Sequence, residues 1–332
     1  MNILVTGANG FIGSHLCREL VGRGHTVRAF HRSSSKLNLL DDLPVDHATG
    51  DLTQPDTLKA AMEGIEIVFH TAAWMGESDQ AGRLYTVTVE GTRSLLQAAR
   101  LAGVRRVVYT SSAAALGVPE GLPPVRRGVT IEPGLLNENH TWNYRQEYFP
   151  YGYARYLAEQ EVQKAVAQGL DAVIVNPTLV FGAGDLHRRS TSVITLVAGR
   201  RISVAIEGGI NCVHIADVVA GHLAAMTDGR TGQRYLLGGE NLTYLELLQM
   251  IAGVTGVSAP NLVLPTRLVH ALARPAIWFK PFLNLPVSPE MLHMAGYYFF
   301  YDLQKSRAEL HLPPCRPVKE AITEAYEWFT AG

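Results

Sequence analysis

The chain has 332 residues, of which 47% are hydrophobic, which is enough to bury a sizeable core and excludes a disordered protein. Its 29 lysines and arginines nearly balance 30 aspartates and glutamates, so no net charge favours nucleic acid or an anionic membrane as a partner. The cysteines Cys17, Cys212 and Cys315 lie too far apart for a disulfide framework or a zinc site. No signal peptide is visible, and prolines and charges interrupt the apolar stretch 271–301. We therefore expect a cytoplasmic protein with no metal and no membrane span.

Short apolar runs alternate with amphipathic segments along the first half of the chain, a pattern typical of βαβ units and a parallel sheet. The predicted strands cover 3–6, 26–30, 65–71, 106–111 and 172–176. The predicted helices cover 13–22, 58–62, 89–101 and 156–168.

The character of the sequence changes after Pro177, and from Asn241 onward prolines separate the helical segments. Segments between these points, including 213–226, still resemble sheet-domain material. We predict an α/β fold with a Rossmann-type doubly wound parallel sheet and a smaller C-terminal substrate lobe. The predicted sheet domain comprises 1–180 with 211–239 returning to it, and the lobe comprises 181–210 and 240–332.

A glycine-rich turn, Thr6–Gly13, connects the first strand to the first helix. Gly7, Gly10 and Gly13 permit a tight turn, close approach of the backbone to a pyrophosphate, and packing of helix on strand. Phe11 and Ile12 lie in this turn, just before the predicted helix, whose N-terminus offers unpaired N–H groups and a dipole that favour phosphate. Because a strand precedes the turn and a helix follows it, the segment predicts a dinucleotide site.

The end of the second strand indicates which dinucleotide binds. An acidic residue is expected about 20 residues after the turn to hold the ribose 2′-hydroxyl of NAD. This chain has Arg32 there, with Arg28 and Lys36 nearby. A guanidinium can pair bidentately with a 2′-phosphate, so the sequence predicts NADP(H), unless Arg32 is a solvated surface residue.

Several segments together resemble the motifs of the extended short-chain dehydrogenase/reductases, which belong to the NAD(P)-dependent epimerase/dehydratase superfamily: Thr6–Gly13, Asp51-Leu52, 70–73, 109–112, 151–159 and 176–182. Within that family, 107–114 and 176–180 are most similar to the dihydroflavonol-reductase-like and 3β-hydroxysteroid-dehydrogenase-like branches. The resemblance covers 1–239 and 302–329. It implies an oxidoreductase that transfers a hydride to or from a small carbonyl or alcohol substrate, and a possible homodimer.

The resemblance also implies roles for further cofactor residues. These are Asp51 and Leu52 beside the adenine, Thr71, Ala72 and Ala73 along the ribose and pyrophosphate, and Pro177 to Val180 beside the nicotinamide amide. Without the family, Asp51 would be interpreted as a turn aspartate before a helix, which is the commoner use of such a residue.

The family's catalytic residues are a serine, a tyrosine and a lysine four positions after the tyrosine. Alignment on Leu157-Ala158-Glu159 places Tyr151 at the tyrosine position and Arg155 at the lysine position, where both would also contact the nicotinamide ribose. Tyr148 and Tyr153 are alternatives, but four residues later they meet Gly152 and Leu157. The serine is Ser112, with Ser111 as the competing choice.

Two positions depart from the family pattern. Arg155 supplies the positive charge of the usual lysine, but it cannot relay a proton because it does not deprotonate. Thr88 stands where the family usually has asparagine. The first departure leaves a catalytically weak NADP(H)-binding protein as one alternative function.

A sugar-nucleotide epimerase or dehydratase is the other alternative, since those enzymes share this fold. The resemblance predicts an arginine before Cys212 that clamps the diphosphate, whereas this chain has Ile210-Asn211 there. Four arginines could substitute: Arg188, Arg189, Arg200 and Arg201. The aromatic residues of the late lobe, among them Trp278, Phe279, Phe282 and 297–300, form either an apolar substrate pocket or the lobe's own core.

Overall fold

The computed structural model describes residues 1–74, 81–120, 134–186, 191–271 and 293–331. The strands of the first half are β1 (Asn2–Thr6), β2 (Thr26–His31), β3 (Asp46–Thr49), β4 (Ile67–His70), β5 (Arg106–Thr110) and β6 (Ala172–Pro177). The helices that connect them are α1 (Phe11–Gly22), α2 (Pro55–Ala61), α3 (Ala81–Tyr85), α4 (Gly91–Leu101) and α5 (Pro150–Ala167). A π-helix over Thr86–Glu90 leads into α4, and a 3₁₀-helix over Ala113–Leu116 follows β5.

The second half contains shorter strands and further helices. Its strands are β7 (Leu179–Phe181), β8 (Ala205–Ile206), β9 (Gly209–His214), β10 (Arg234–Leu237), β11 (Glu240–Thr243), β12 (Val263–Leu264) and β13 (Tyr298–Phe299). Its helices are α6 (Ser192–Ala198), α7 (Ile215–Thr227), α8 (Tyr244–Thr255), α9 (Gln304–Glu309) and α10 (Val318–Ala331).

Seven parallel strands form the central sheet in the order β10-β6-β5-β4-β1-β2-β3. Strand order reverses at β1, since the chain moves outward to β3 and then returns to β4 on the other side. The first apolar run shows why the sheet is covered on both faces: Ile3 and Val5 pack with α1 and α7, while Leu4 packs with α2, α4 and α5. The predicted Rossmann-type doubly wound sheet is confirmed.

A second sheet contains β11, β9 and β13, with β7 also paired to β9. Its core is formed with side chains of α6, α8 and α10. Within 211–239, β10 is a strand of the central sheet and α7 packs against that sheet. Strand β9 belongs to the smaller sheet. The division of the chain into a cofactor domain and a substrate lobe stays a prediction.

Two of the differences between the predicted and the observed elements lie next to predicted site residues. Strand β3 was not predicted, because an edge strand with the sequence Asp46–Thr49 and a largely exposed surface has no apolar pattern. Helix α5 begins at Pro150, earlier than the predicted residue 156, because proline is well accommodated in the first helical turn. Tyr151 and Arg155 therefore lie in the first turns of a helix. None of the helices in the described ranges is long and apolar enough to cross a bilayer.

His70, at the end of β4, is fully buried in a chain of hydroxyl groups. Its Nδ1 lies 2.8 Å from Thr6 Oγ1 and its Nε2 lies 3.1 Å from Thr92 Oγ1. Because Thr92 donates its own proton to the carbonyl of Thr88 at 2.6 Å, Nε2 of His70 is the donor and Nδ1 the acceptor. The ring is neutral, and burial lowers the pKa of His70 to about 3, with Arg155 acting in the same direction.

His222 of α7 is fully buried on the opposite face of the sheet. Its Nδ1 donates to the carbonyl of Val218 at 2.7 Å, so its Nε2 accepts from Thr110 Oγ1 at 2.8 Å. Burial lowers the pKa of His222 to about 4, although the bond to Val218 opposes the shift.

The two histidines predict how stability depends on pH. In the unfolded chain both titrate near pH ~6.5, whereas in the folded chain they stay neutral until much lower pH, so below about 6.5 the unfolded state binds more protons. As the pH is lowered below this value, the free energy of unfolding should therefore decrease, by about 1.4 kcal/mol per pH unit for each histidine.

Urea titrations between pH ~6 and ~4.5 would test this dependence. His222→Gln should remove one histidine's contribution to the slope, while the exposed control His270→Gln should leave the slope unchanged. Equal slopes for the native protein and His222→Gln would contradict the assignment.

Candidate active site

The turn between β1 and α1 has the geometry of a phosphate cradle. Gly10 N donates to Gly7 O at 2.8 Å, and the first helical bond runs from Ser14 N to Gly10 O at 2.9 Å. Gly10 offers no side-chain cap to α1. The N–H groups of Phe11, Ile12 and Gly13 thus have no acceptor among the described residues, and an anion can satisfy them.

Gly13 is required by close packing within this turn. A Cβ atom there would lie 2.2 Å from the carbonyl oxygen of Gly7, so no other residue fits without moving the backbone. The side chains of Phe11 and Ile12 pack against the core beneath the turn, which leaves the backbone facing outward. The turn therefore fits the pyrophosphate of a dinucleotide.

Asp51, just after β3, folds its carboxylate into its own turn. Oδ1 accepts from Thr53 N at 2.9 Å and from Thr53 Oγ1 at 2.7 Å, as expected of a turn aspartate. Burial raises the pKa of Asp51, but the bonds from Thr53 and the charges of Arg32 and Arg83 outweigh it and hold the pKa below its usual value. Both arginines are exposed, and Arg83 rests on the ring of Trp74 at 4.5 Å. Arg83 carries no motif signal, and sequence reasoning missed it.

Arg28 and Lys36 were the other basic residues near the predicted ribose site. Arg28 Nε lies 2.9 Å from Asp46 Oδ2, and its Nη1 donates to the carbonyls of Ala61 and Glu63. These bonds occupy the guanidinium of Arg28, which lies within β2. Arg32, directly after that strand, and Lys36 are both exposed.

The remaining predicted cofactor residues lie at or next to strand ends. Thr71 Oγ1 donates to Thr6 O at 2.7 Å, and Ala72 N lies 3.4 Å from Thr6 Oγ1, so β4 is tied to the turn after β1. Leu52 is buried beneath Gly91, and Ala73 is half-buried.

Pro177 ends β6 and is buried. The side chain of Val180 is also buried in the core, so only its backbone can face a ligand.

The structure brings Tyr151 and Arg155 together on the first turns of α5. Arg155 Nε donates to Tyr151 Oη at 3.3 Å, and Nη1 donates to the carbonyl of Thr110 at 2.9 Å. Arg155 is only 5% exposed. Burial works against its charged form, but Tyr151 and Tyr109 more than offset this and raise the pKa of Arg155. A fixed positive charge therefore lies beside the half-buried phenol of Tyr151.

The alternative tyrosines contact other aromatic rings. The centroid of Tyr153 lies 5.5 Å from that of Trp142, and the ring of Tyr148 stacks on His293 at 4.2 Å. Neither has a basic partner four residues later.

Ser111 and Ser112 have different environments. Ser111 is buried, and its hydroxyl donates to Glu159 Oε1 at 2.5 Å. Ser112 is half-buried, and its Oγ accepts a hydrogen bond from Ala114 N at 3.2 Å, which leaves its proton free to be donated. The structure therefore favours Ser112 as the serine that can reach a ligand.

Gly152 allows the start of α5 to lie against the segment that follows Ser112. A Cβ atom at Gly152 would lie 2.8 Å from the carbonyl oxygen of Ala114 and from the ring of Phe149. Ser112 and Tyr151 therefore flank a direct contact between helix α5 and the 3₁₀-helix.

The position of Thr88, where the family usually has asparagine, lies within the π-helix. Its Oγ1 lies 3.4 Å from Trp74 N and its carbonyl accepts from Thr92. Thr88 is buried, so its side chain holds neighbouring backbone in place.

Asn211 occupies the position where an epimerase-type arginine was expected. It is fully buried, and its Oδ1 accepts from Thr178 Oγ1 at 2.8 Å and from Gly239 N at 2.9 Å. Its Nδ2 lies 2.7 Å from Asn241 Oδ1. The amide is committed to internal bonds and cannot reach a ligand phosphate.

The substitute arginines are not built into a described site. Arg200 and Arg201 are exposed, and Arg188 and Arg189 lie outside the described residues.

Of the late aromatic residues, Phe299 is buried in a cluster with Leu116 and Leu136, as expected of a lobe core. Trp278, Phe279 and Phe282 lie outside the described residues.

Comparison with known proteins supports the same family as the motifs. A putative dihydroflavonol 4-reductase of Synechocystis sp. is 35% identical over 340 residues, which cover 98% of this chain and 93% of that protein. Sterol demethylase protein B of Methylococcus capsulatus is 36% identical over 341 residues, which cover 99% of this chain and 98% of that protein.

A nucleoside-diphosphate-sugar epimerase from Pseudomonas aeruginosa shares the fold, with a TM-score of 0.79 at 24% identity over 100% of this chain and 98% of its own. Residues 3–238 match the NAD dependent epimerase/dehydratase family. The chain therefore belongs to this family, among the extended short-chain dehydrogenase/reductases.

Proposed function

We propose that the protein is an NADP(H)-dependent oxidoreductase that reduces a small carbonyl compound, or oxidises the corresponding alcohol. The observation that carries the proposal is the contact of 3.3 Å between Arg155 Nε and Tyr151 Oη. Arg155 also donates to the carbonyl of Thr110, at the carboxyl end of β5 and two residues before Ser112. A phenol beside a buried positive charge is suited to exchange a proton with a substrate oxygen. A relative named as a putative dihydroflavonol 4-reductase, 35% identical, supports the same class of reaction.

The mechanism assigns one task to each side chain. NADPH, when bound, supplies a hydride for the carbonyl carbon. Tyr151 donates its proton to the carbonyl oxygen as negative charge develops there, and Ser112 donates a hydrogen bond to the same oxygen. Arg155 stabilises the phenolate that remains but keeps its own protons, so the proton of Tyr151 is replaced from solvent.

The choice of NADP(H) rests on the charges around Asp51. The carboxylate of Asp51 accepts both bonds from Thr53, while the exposed guanidinium groups of Arg32 and Arg83 act on it electrostatically. Two nearby arginines can pair with the 2′-phosphate of NADP(H). The 2′-hydroxyl of NAD would need a carboxylate at the end of β2, where this chain has Arg32.

The nucleotide-sugar alternative is disfavoured by Asn211, whose side chain makes internal hydrogen bonds. The alternative of a catalytically weak NADP(H)-binding protein remains as an outcome of the turnover experiment below. We further propose that 1–180 and 211–239 hold the cofactor, that 181–210 and 240–332 hold the substrate, and that the protein is a cytoplasmic homodimer.

The first prediction from the proposed function concerns the cofactor. The native protein should bind NADPH more tightly than NADH, and Arg32→Asp should reverse this preference. A hydrogen bond to a charged group is worth roughly 1.5–3 kcal/mol, so the loss of NADPH affinity should be at least about tenfold. Dissociation constants measured by NADPH fluorescence test this, with Arg100→Asp as an exposed control on α4. Equal affinities of the native protein for both cofactors would refute the proposal.

The second prediction concerns the tyrosine. Tyr151→Phe should lower NADPH-coupled carbonyl turnover by on the order of a hundredfold or more, because the proton donor is lost. Cofactor affinity should persist, since the pyrophosphate turn is a separate part of the site. Arg155→Lys should retain or raise turnover, because it restores the arrangement usual in the family.

Tyr153→Phe is the matched control, since Tyr153 lies in the same helix among aromatic rings. If Tyr151→Phe is fully active, the assignment of the tyrosine is wrong. If neither the native protein nor Arg155→Lys reduces any carbonyl, the alternative of a catalytically weak NADP(H)-binding protein is supported.

The third prediction concerns nucleotide sugars. UDP and dTDP should show no micromolar binding in calorimetric titrations, because Asn211 replaces the expected clamp. A micromolar Kd for either nucleotide would overturn the choice of substrate class.

A further inference from the structure

Glu159 of α5 has a fully buried carboxylate. Its partners belong to β6, to β10 and to the segment directly after β5, and these three strands are neighbours in the central sheet. Its Oε1 accepts from Ser111 Oγ at 2.5 Å and from Asn176 Nδ2 at 2.6 Å. Arg234 Nε lies 2.6 Å from Oε2, close enough for an ion pair although not aligned as a hydrogen bond. Burial raises the pKa of Glu159 and outweighs the opposite effects of Arg234, Ser111 and Asn176.

Asn176 extends this network to Ser112. Its Nδ2 donates not only to Glu159 but also to the carbonyl oxygen of Ser112, at 2.9 Å. Glu159 therefore holds Ser111 through its side chain and Ser112 through Asn176. Neither contact involves the hydroxyl of Ser112, which stays available to a ligand.

Helix α5 contacts the end of β5 at two successive turns. Tyr151, Arg155 and Glu159 are four residues apart and share one face of the helix. Arg155 donates to the carbonyl of Thr110, and Glu159 accepts from the next residue, Ser111. The same face thus carries the phenol, the positive charge and the carboxylate that fixes the helix to the strand end.

We propose that Glu159 is a positioning residue, whose carboxylate, paired with Arg234, sets the separation of α5 from the end of β5. It thereby sets the position of Tyr151 relative to Ser112. This inference rests on the proposed function to the extent that both hydroxyl groups must reach one carbonyl oxygen. A displacement of about 1 Å at such a site can lower turnover on the order of a hundredfold.

Two variants of Glu159 test the charge of its side chain and the length of its side chain separately. Glu159→Gln keeps the shape and loses the charge, and Glu159→Asp keeps the charge but shortens the side chain by one methylene. Both should lower kcat at least about tenfold, with the KM for NADPH changed less than about twofold, since the pyrophosphate turn does not contact Glu159. In crystal structures of the variants, the distance between Ser112 Oγ and Tyr151 Oη should change by about 1 Å.

Glu161 provides a matched control on the same helix. It is 7% exposed and pairs with Arg93 at 2.7 Å and Lys164 at 2.8 Å, away from β5. Glu161→Gln should lose stability but keep the native kcat. If the variants of Glu159 fail to fold, Asn176→Ala cuts the link to Ser112, leaves the ion pair with Arg234 in place, and should give the same loss of kcat.

The outcomes separate this inference from the proposed function. Native kcat in Glu159→Gln, or in Asn176→Ala where the variants of Glu159 do not fold, would overturn the inference. If the native protein reduces no carbonyl, the proposed function fails, and the distance between Ser112 and Tyr151 in the variant crystal structures still decides the inference. An unchanged distance in those structures overturns it.

Discussion

The central constraint of this fold is that all seven strands of the large sheet are parallel, so their carboxyl ends share one edge. The turn after β1, the tie from Thr71 to Thr6, and the segment 110–112 after β5 all lie at that edge. Helix α5 then inserts the guanidinium of Arg155 beside the carbonyl of Thr110. A buried charge requires such partners, and these contacts bring the phenol of Tyr151 to the strand ends.

Much of this edge could be predicted from the sequence, because its signals are local. The glycine turn depends on close backbone contacts that only glycine permits, as at Gly13. Tyr151 and Arg155 were identified from the resemblance to the family's motif, and the start of α5 at Pro150 places them one helical turn apart. The sequence could not show that Ser111 donates to Glu159, because that bond joins residues 48 positions apart.

Other features carry no sequence signal for a physical reason. Strand β3 is a polar edge strand that gains its order from pairing with β2 rather than from an apolar face. Arg83 could not be singled out because it lies near the site only through its contact with the ring of Trp74 and its effect on Asp51. Both residues belong to other segments of the chain. Asn211 looked like a missing clamp, and only its contacts with Thr178 and Gly239 show that the amide is fully used.

We propose that Tyr151 and Arg155 support net reduction of a carbonyl rather than a transient oxidation within a bound sugar. The most direct measurement uses NADPH deuterated at C4, as each diastereomer separately, with a panel of small ketones and aldehydes. We expect deuterium from one diastereomer on the product carbinol carbon, with one NADP⁺ released per alcohol formed. If no alcohol forms, and a nucleotide sugar is instead converted without net consumption of cofactor, the claim is contradicted.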